Sequence, residues 1–294
     1  MNQVPRGEGS LEANRTYFGS RLFGWLCTAA TLVCVLALIG LLVTVLVNGI
    51  PWLSWTLVSS YPSRDPEKAG VLSALVGSLW LIGLTAIISI PTGVGAALYL
   101  EEYSANTWWK KLIQLNIANL AGVPSIVYGI LGLGLFVRAM SLDRSVIAGA
   151  LTLTLVVLPI VILSTQEALR AVPGTIRSAS YALGATRWQT VWNQVLPAAM
   201  PGVMTGVILA ISRALGEAAP LVAVGAAAYV AFLPQSLSDE FSALPLQIFN
   251  WAERPQEEFH GLASAAIVVL LAVLILMNAG AVFVRAKYGR RIKW

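Results

Sequence analysis

Charge is scarce in this sequence. Asp, Glu, Lys and Arg make up 11% of 294 residues, against roughly 25% in an ordinary soluble domain. That deficit excludes a water-soluble globule, and 57% hydrophobic residues exclude a disordered chain. Histidine occurs once, as His260, and no Cys/His cluster exists, so no metal site is expected. The two cysteines, Cys27 and Cys34, share one apolar run; seven residues of helix put them about 10 Å apart, too far to bridge. No G-x-x-x-x-G-K-S/T phosphate loop is present, so this chain is not expected to hydrolyse nucleotide. The net charge of +5 is spread over residues flanking apolar runs rather than gathered in a patch, so no nucleic-acid partner is expected.

Long apolar runs are what the sequence has in abundance. Six of them, at 22–47, 71–100, 112–137, 146–168, 201–224 and 262–284, reach the roughly 20 helical residues that cross a hydrocarbon core. They predict an all-α, polytopic membrane protein with six transmembrane helices over residues 22–284, between an N-terminal tail (1–21) and a basic tail (285–294). The first run follows Arg6, Arg15 and Arg21 as a signal peptide would, but it is too long for one and lacks a convincing cleavage site, so it is expected to be retained.

Orientation follows from the cations. With the N-terminus in the cytoplasm, Arg6, Arg15, Arg21, Lys110, Lys111, Arg170, Arg177, Arg187, Arg285, Lys287, Arg290, Arg291 and Lys293 fall on the cytoplasmic side. Only Arg64, Lys68, Arg138, Arg144 and Arg254 fall opposite, and Arg213 lies within a run. This positive-inside bias places both termini in the cytoplasm of a bacterial inner membrane.

Segment 169–200 reads as two short helices rather than as a simple connection. Ile176, Ala179 and Leu183 fall on one helical face, and Gly184 is placed to end that helix in a left-handed cap. Thr186 and Gln189 form a T-x-x-Q capping box for a second helix, on which Trp188, Val191, Trp192 and Val195 share a face and which Pro197 is expected to stop. With Arg170, Arg177 and Arg187 and no acid between 168 and 200, this module suits either the lipid headgroup layer or a soluble docking partner.

The same segment resembles the coupling loop of ABC-importer permeases, with Ser178-Ala179-Ser180, Gly184 and Leu196-Pro197 in ungapped register. It departs at Ser178, where that pattern has Glu, and at Gln194, where it has Ile. NLAGVPSIVYGILGLGLF (119–136), residues 165–202 and SRALGEAAPL (212–221) resemble phosphate-importer permeases of the PstA type. The resemblance implies the ABC-importer permease fold and a partnership with a second permease subunit. It also implies two ATPase subunits, which carry the ATP and Mg, and an extracytoplasmic phosphate-binding protein. No cofactor is then expected on this chain.

The fifth run carries a charge pair, Arg213 and Glu217, whose insertion costs about 2.5–3.5 kcal/mol per charge on the more lenient scale. Thr205, Leu209, Ser212, Arg213, Gly216, Glu217 and Pro220 recur at helical spacing as one polar face, beside a small-residue stripe of Gly202, Gly206, Ala210, Ala214 and Ala218. Two readings stand: a buried structural pair, or a face lining an anion route in which Arg213 offers fork-shaped donors and Glu217 tempers its charge. Asn116, Asn119 and Ser125 of the third run, flanking Gly122 and Pro124, are further candidates for the route. Pro91 and Pro159 are expected to act as kinks only, and His260 to be a solvated loop residue. A permease for another oxyanion such as sulfate or molybdate, an ion-coupled carrier and a membrane-embedded enzyme are the competing functions. Beyond Arg213 and Glu217, the runs offer no catalytic constellation.

Overall fold

Apolar runs bounded by caps and proline become helices here because a helix satisfies its own backbone where water is absent. The computed structural model describes residues 9–105, 107–226 and 229–289, and among these no strand forms. The polar tail through residue 8 and Arg290, Arg291 and Lys293 lie outside the described residues. Five helical stretches are long and apolar enough to cross a membrane, and a sixth crossing requires a bent pair.

The first crossing is α1 (Gly9–Gly49), whose helix begins within the polar tail and presents Leu22–Val47 almost wholly outward. Its C-terminal end packs on the last helix, α12 (Glu257–Gly289). Three short helical elements follow in the connection: a 3-10 turn over Ile50–Trp52, Trp55–Ser59 (α2), and a 3-10 turn over Pro66–Lys68 capped by Asp65. The second crossing, α3 (Leu72–Leu98), runs on into a wide π turn at Tyr99–Tyr103. With α6 (Val146–Arg170) and α9 (Leu196–Gly216) it builds the main core around Val157, Val161, Ala210 and Ala214. Pro91 and Pro159 sit inside uninterrupted helices.

Two of the predicted crossings are broken. The third divides at Gly122–Pro124 into α4 (Trp108–Ala121) and α5 (Ser125–Gly132), the latter extending as π helix through Ala139, with an angle of 101° between the halves. Pro124 has no N–H to continue the ladder and biases Val123 away from helix. The Tyr128 hydroxyl donates to the Leu120 carbonyl at 2.7 Å, alongside the Val123 N–H at 3.1 Å, and so ties α5 back to the end of α4 across the break. The fifth crossing is not one helix over 201–224. It stops at Gly216, where Glu217 turns extended (φ −84°, ψ 107°), and resumes as α10 (Ala219–Val224).

The expectation that Pro197 ends the second loop helix is corrected. Helix α8 (Arg187–Thr190) continues without interruption through a π turn at Val191–Val195 into α9. Proline is tolerated because the wide turn shifts the bonding: the Leu196 N–H reaches back five residues to Val191, and the register that would need an N–H from Pro197 is absorbed. The connection after the fifth run contains α11 (Leu244–Ala252), which buries Leu244 and Trp251 with Phe259 and Leu262, and Leu246 with Leu81 and Leu153. His260 accordingly lies in the first turn of α12, its Nε2 2.8 Å from the Arg254 carbonyl.

Candidate functional site

The small-residue stripe of α9 faces inward, against α6. A Cβ at Gly202 would come within 2.7 Å of the Ala168 Cβ, and one at Gly206 would overlap the Ser164 hydroxyl. Glycine there lets two backbones approach closely. This contact fixes which face of α9 is left over: Thr205, Leu209, Arg213 and Gly216 are exposed on the adjacent flank. Among the described residues only α12 meets that polar face with side-chain hydrogen bonds, and it does so twice. Ser212 Oγ lies 2.7 Å from Asn278 Oδ1, and Arg285 Nη1 donates to Thr205 Oγ1 at 2.9 Å.

Arg213 sits in the last turn of α9, with half of its side chain exposed. Its Nε donates to Glu217 Oε1 at 3.1 Å across the break that ends the helix. Its two terminal amino groups have no protein acceptor among the described residues. The pair is therefore not sealed in a helix interior. A carboxylate at the extended residue holds one edge of the guanidinium, and the other edge stays open. Glu217 is the more covered partner, with 17% of its side chain accessible.

The break in the third crossing is brought close by packing of the segments that follow each break. Gly129 of α5 lies against α10, where a Cβ would be 2.7 Å from Pro220 Cα and 2.6 Å from Ala223 Cβ. Pro220, expected on the polar face, is instead buried in this contact. Asn119 is exposed at the end of α4, and Ser125 is half-buried at the start of α5. Neither side chain bonds to Arg213 or Glu217 among the described residues. Asn116 only returns to the Leu112 carbonyl.

At the far end of the bundle the loop folds as its sequence dictates. Helix α7 (Gly174–Ala182) ends in a Schellman motif: Gly184 adopts φ +80°, its N–H bonds to Tyr181 O at 2.9 Å, and Ala185 N–H to Ser180 O at 3.2 Å. The Thr186–Gln189 capping box then opens α8. Ser180 Oγ and Thr190 Oγ1, 2.8 Å apart, fasten the two helices together. The expected apolar face of the second helix divides. Val191 and Val195 are buried, while Trp188 and Trp192 stack outward with centroids 5.4 Å apart. Ser178 and Ala179 are exposed beside Leu183, which is 89% exposed, and a hollow of about 590 Å³ opens between the helices. Leu196 is buried and Pro197 half-buried.

The loop's three arginines, legible in the sequence as free cations, are all engaged by one acidic tripeptide that sequence reasoning passed over. Arg177 meets the buried Glu102 through Nη2 at 2.6 Å and Nε at 3.2 Å, and donates to the Val172 and Leu169 carbonyls. Arg170 pairs with Glu101 at 2.6 Å and with Glu167 at 3.1 Å. Arg187 lies 5.6 Å from the centre of the Tyr103 ring. The Glu101-Glu102-Tyr103 run at the end of the second apolar stretch was the available signal. Its charge sits where a crossing helix leaves the membrane, opposite a purely basic loop.

Comparisons with known proteins agree with this geometry. Residues 89–292 match the family described as "Binding-protein-dependent transport system inner membrane component". The phosphate transport system permease protein PstA of Haemophilus influenzae is 31% identical over 238 residues, covering 81% of this chain and 83% of that one. PstA of Xylella fastidiosa is 32% identical, covering 86% and 90%. A probable ABC transporter permease of Bacillus subtilis, YqgI, is 34% identical, covering 68% and 67%. Among solved structures, a bacterial alginate ABC transporter superposes with a TM-score of 0.62 over 90% of this chain and 95% of that one, at 14% identity. The MetNI methionine ABC transporter superposes with a TM-score of 0.60 over 80% and 96%, at 19% identity. The chain belongs to the binding-protein-dependent transport system inner membrane component family and has the ABC-importer permease fold. It is a multi-pass inner-membrane permease subunit, not an enzyme.

Proposed function

We propose that this member of the family is the membrane-spanning subunit of an ATP-driven importer of inorganic phosphate, and that the polar face of α9 lines the anion's route. The observation that carries the reading is Arg213: a guanidinium with one edge on Glu217 and its other donors unclaimed among the described residues, at the point where a crossing helix breaks. A planar fork of N–H donors suits a tetrahedral oxyanion. The Glu217 carboxylate keeps the site from holding that anion too tightly, since a route must release what it binds. The PstA relatives, alike over four-fifths of the chain or more, favour phosphate over sulfate or molybdate.

In this reading the second permease subunit covers the exposed faces of α4, α5 and α9 and closes the route. Asn119 and Ser125 line the route near the break between α4 and α5. The α7–α8 end is cytoplasmic, as are both termini, and two ATPase subunits dock there with their ATP and Mg. Ser178, Ala179, Ser180 and Gly184 form the docking surface. Leu196 and Pro197 join it to α9, so loop movement is delivered directly to the helix bearing Arg213. An extracytoplasmic phosphate-binding protein delivers the anion to the opposite end.

The test is uptake of labelled phosphate with excess sulfate present, in cells producing the native chain or Arg213→Gln. Sulfate-insensitive uptake that vanishes in the variant, with the complex still assembled, supports the reading. Failure of assembly would assign the pair a structural role instead. Native uptake that sulfate suppresses would overturn the cargo.

A further inference from the structure

The two hydrogen bonds from α12 to the polar face of α9 are in register. Thr205 and Ser212 are seven residues apart on α9, and their partners Arg285 and Asn278 are seven apart on α12. The antiparallel helices thus present two polar rungs, about 10 Å apart along the axis. The Ser212–Asn278 rung joins two neutral groups, and cross-helix hydrogen bonding between packed helices accounts for it. The Thr205–Arg285 rung is different in kind. The Thr205 hydroxyl donates to the Pro201 carbonyl at 2.8 Å, which turns its lone pairs toward Arg285. Arg285 makes this single hydrogen bond and no ion pair among the described residues. An arginine serving only to anchor a helix end would extend to the headgroups. This one is drawn sideways onto the face that carries Arg213, with most of its donors unmatched.

We infer that Arg285, steadied by Thr205, is a second anion station on the same route, about 12 Å of helix from Arg213 toward the loop-bearing end. The inference rests on the proposed route along α9. Spare donors on a cation call for an acceptor-rich anion, and two partly neutralised stations in series let an anion pass from one to the next without a deep trap. Arg213 is tempered by an adjacent carboxylate. Arg285 is tempered by its position in the last turns of α12, where water reaches it.

The experiment uses the assembled transporter in inverted membrane vesicles. Cys27 and Cys34, both exposed on α1, are changed to serine and Thr205→Cys is introduced. The thiol is then offered an anionic and a cationic methanethiosulfonate. Reaction about 25-fold faster with the anionic than with the cationic reagent, about fivefold each from attraction of the one and repulsion of the other by a nearby charge in water, together with slowing by inorganic phosphate, is the expected result. Both effects disappear in Arg285→Gln. A thiol unreactive to both reagents, or a preference unchanged by Arg285→Gln, overturns the station. Uptake gives an independent reading in the chain with its cysteines untouched: Arg285→Gln loses most uptake and Arg285→Lys keeps much of it. If Arg213→Gln abolishes uptake while Arg285→Gln alters neither uptake nor labelling, only the second station falls. If Arg213→Gln leaves uptake intact, the route itself falls.

Discussion

Arg177 and Glu102 hold the first loop helix to the end of the second crossing. All three guanidinium nitrogens are used, two of them on a buried carboxylate and two on the carbonyls of Val172 and Leu169. Arg213, by contrast, uses one. The difference separates an arginine that builds the molecule from one left open to a ligand.

Removing the Glu102 charge leaves Arg177 covered and unpaired, which costs about 3–5 kcal/mol where such a pair is buried. Glu102→Gln should therefore loosen the loop, seen as faster proteolysis between Val172 and Thr186 in the assembled complex. The double change Glu102→Leu, Arg177→Met should recover much of the protection. Equal cleavage in native and single variant would show that the clamp carries no energy.

Gly184 has φ +80° with open space around its Cα, so a substitution there meets strain and no clash. Gly184→Ala should cost about 1–2 kcal/mol in the left-handed cap, whereas Gly184→Asn should be nearly neutral. Gly184→Pro should unmake the cap and separate ATP hydrolysis from uptake, measured as the ratio of the two rates in proteoliposomes, with the subunit still inserted. An unchanged ratio would remove the loop from coupling.

Gly206 packs on Ser164 with no room for a methyl group. Gly206→Ala should destabilise the α6–α9 contact by about 1–3 kcal/mol, and Ser164→Gly should restore part of it. Thermal stability of the purified complex reads both variants, and absence of rescue would place the cost elsewhere.

Glu217→Gln leaves Arg213 without its carboxylate. An anion at that site should then bind more tightly and leave more slowly, so the apparent KM for phosphate and the maximal uptake rate should both fall. A rise in KM with an unchanged rate would contradict the tempering role.

Asp239 accepts hydrogen bonds from the Gln235 and Ser236 N–H groups and the Ser236 hydroxyl, which hold its carboxyl below the usual range. A depressed value means that this stabilisation is complete above the ordinary carboxylate pKa and is lost as pH falls through the lower folded value. The backbone beside it, Leu237 and Asp239 carbonyls, accepts the Val146 and Ile147 N–H groups at the start of α6. Hydrogen exchange at those two amides should stay protected down to about pH 4, near the unperturbed value, and rise below it. Asp239→Asn should flatten that transition.

Much of this protein was legible without coordinates. The apolar runs, the Gly184 cap, the Thr186–Gln189 box and the inward small-residue stripe of α9 are local or periodic features. Each follows from helix geometry and backbone chemistry within a few residues. The sequence by itself therefore determined an all-α membrane protein with a helix–glycine–helix loop and a polar face on its fifth run.

Tertiary structure decided what the polar and charged groups do. Pro197 was expected to stop a helix because proline lacks an N–H, but a π turn next to it moved the bonding register and carried the loop into α9. Arg177 and Arg187 looked free, and Arg170 had only Glu167 within reach of a local pattern, because their partners Glu101, Glu102 and Tyr103 lie some seventy to eighty residues earlier. Asn278 and Arg285 joined the polar face only when α12 packed antiparallel to α9. Side-chain pairing across crossings depends on which helices become neighbours and in what register. Periodicity within one helix carries neither.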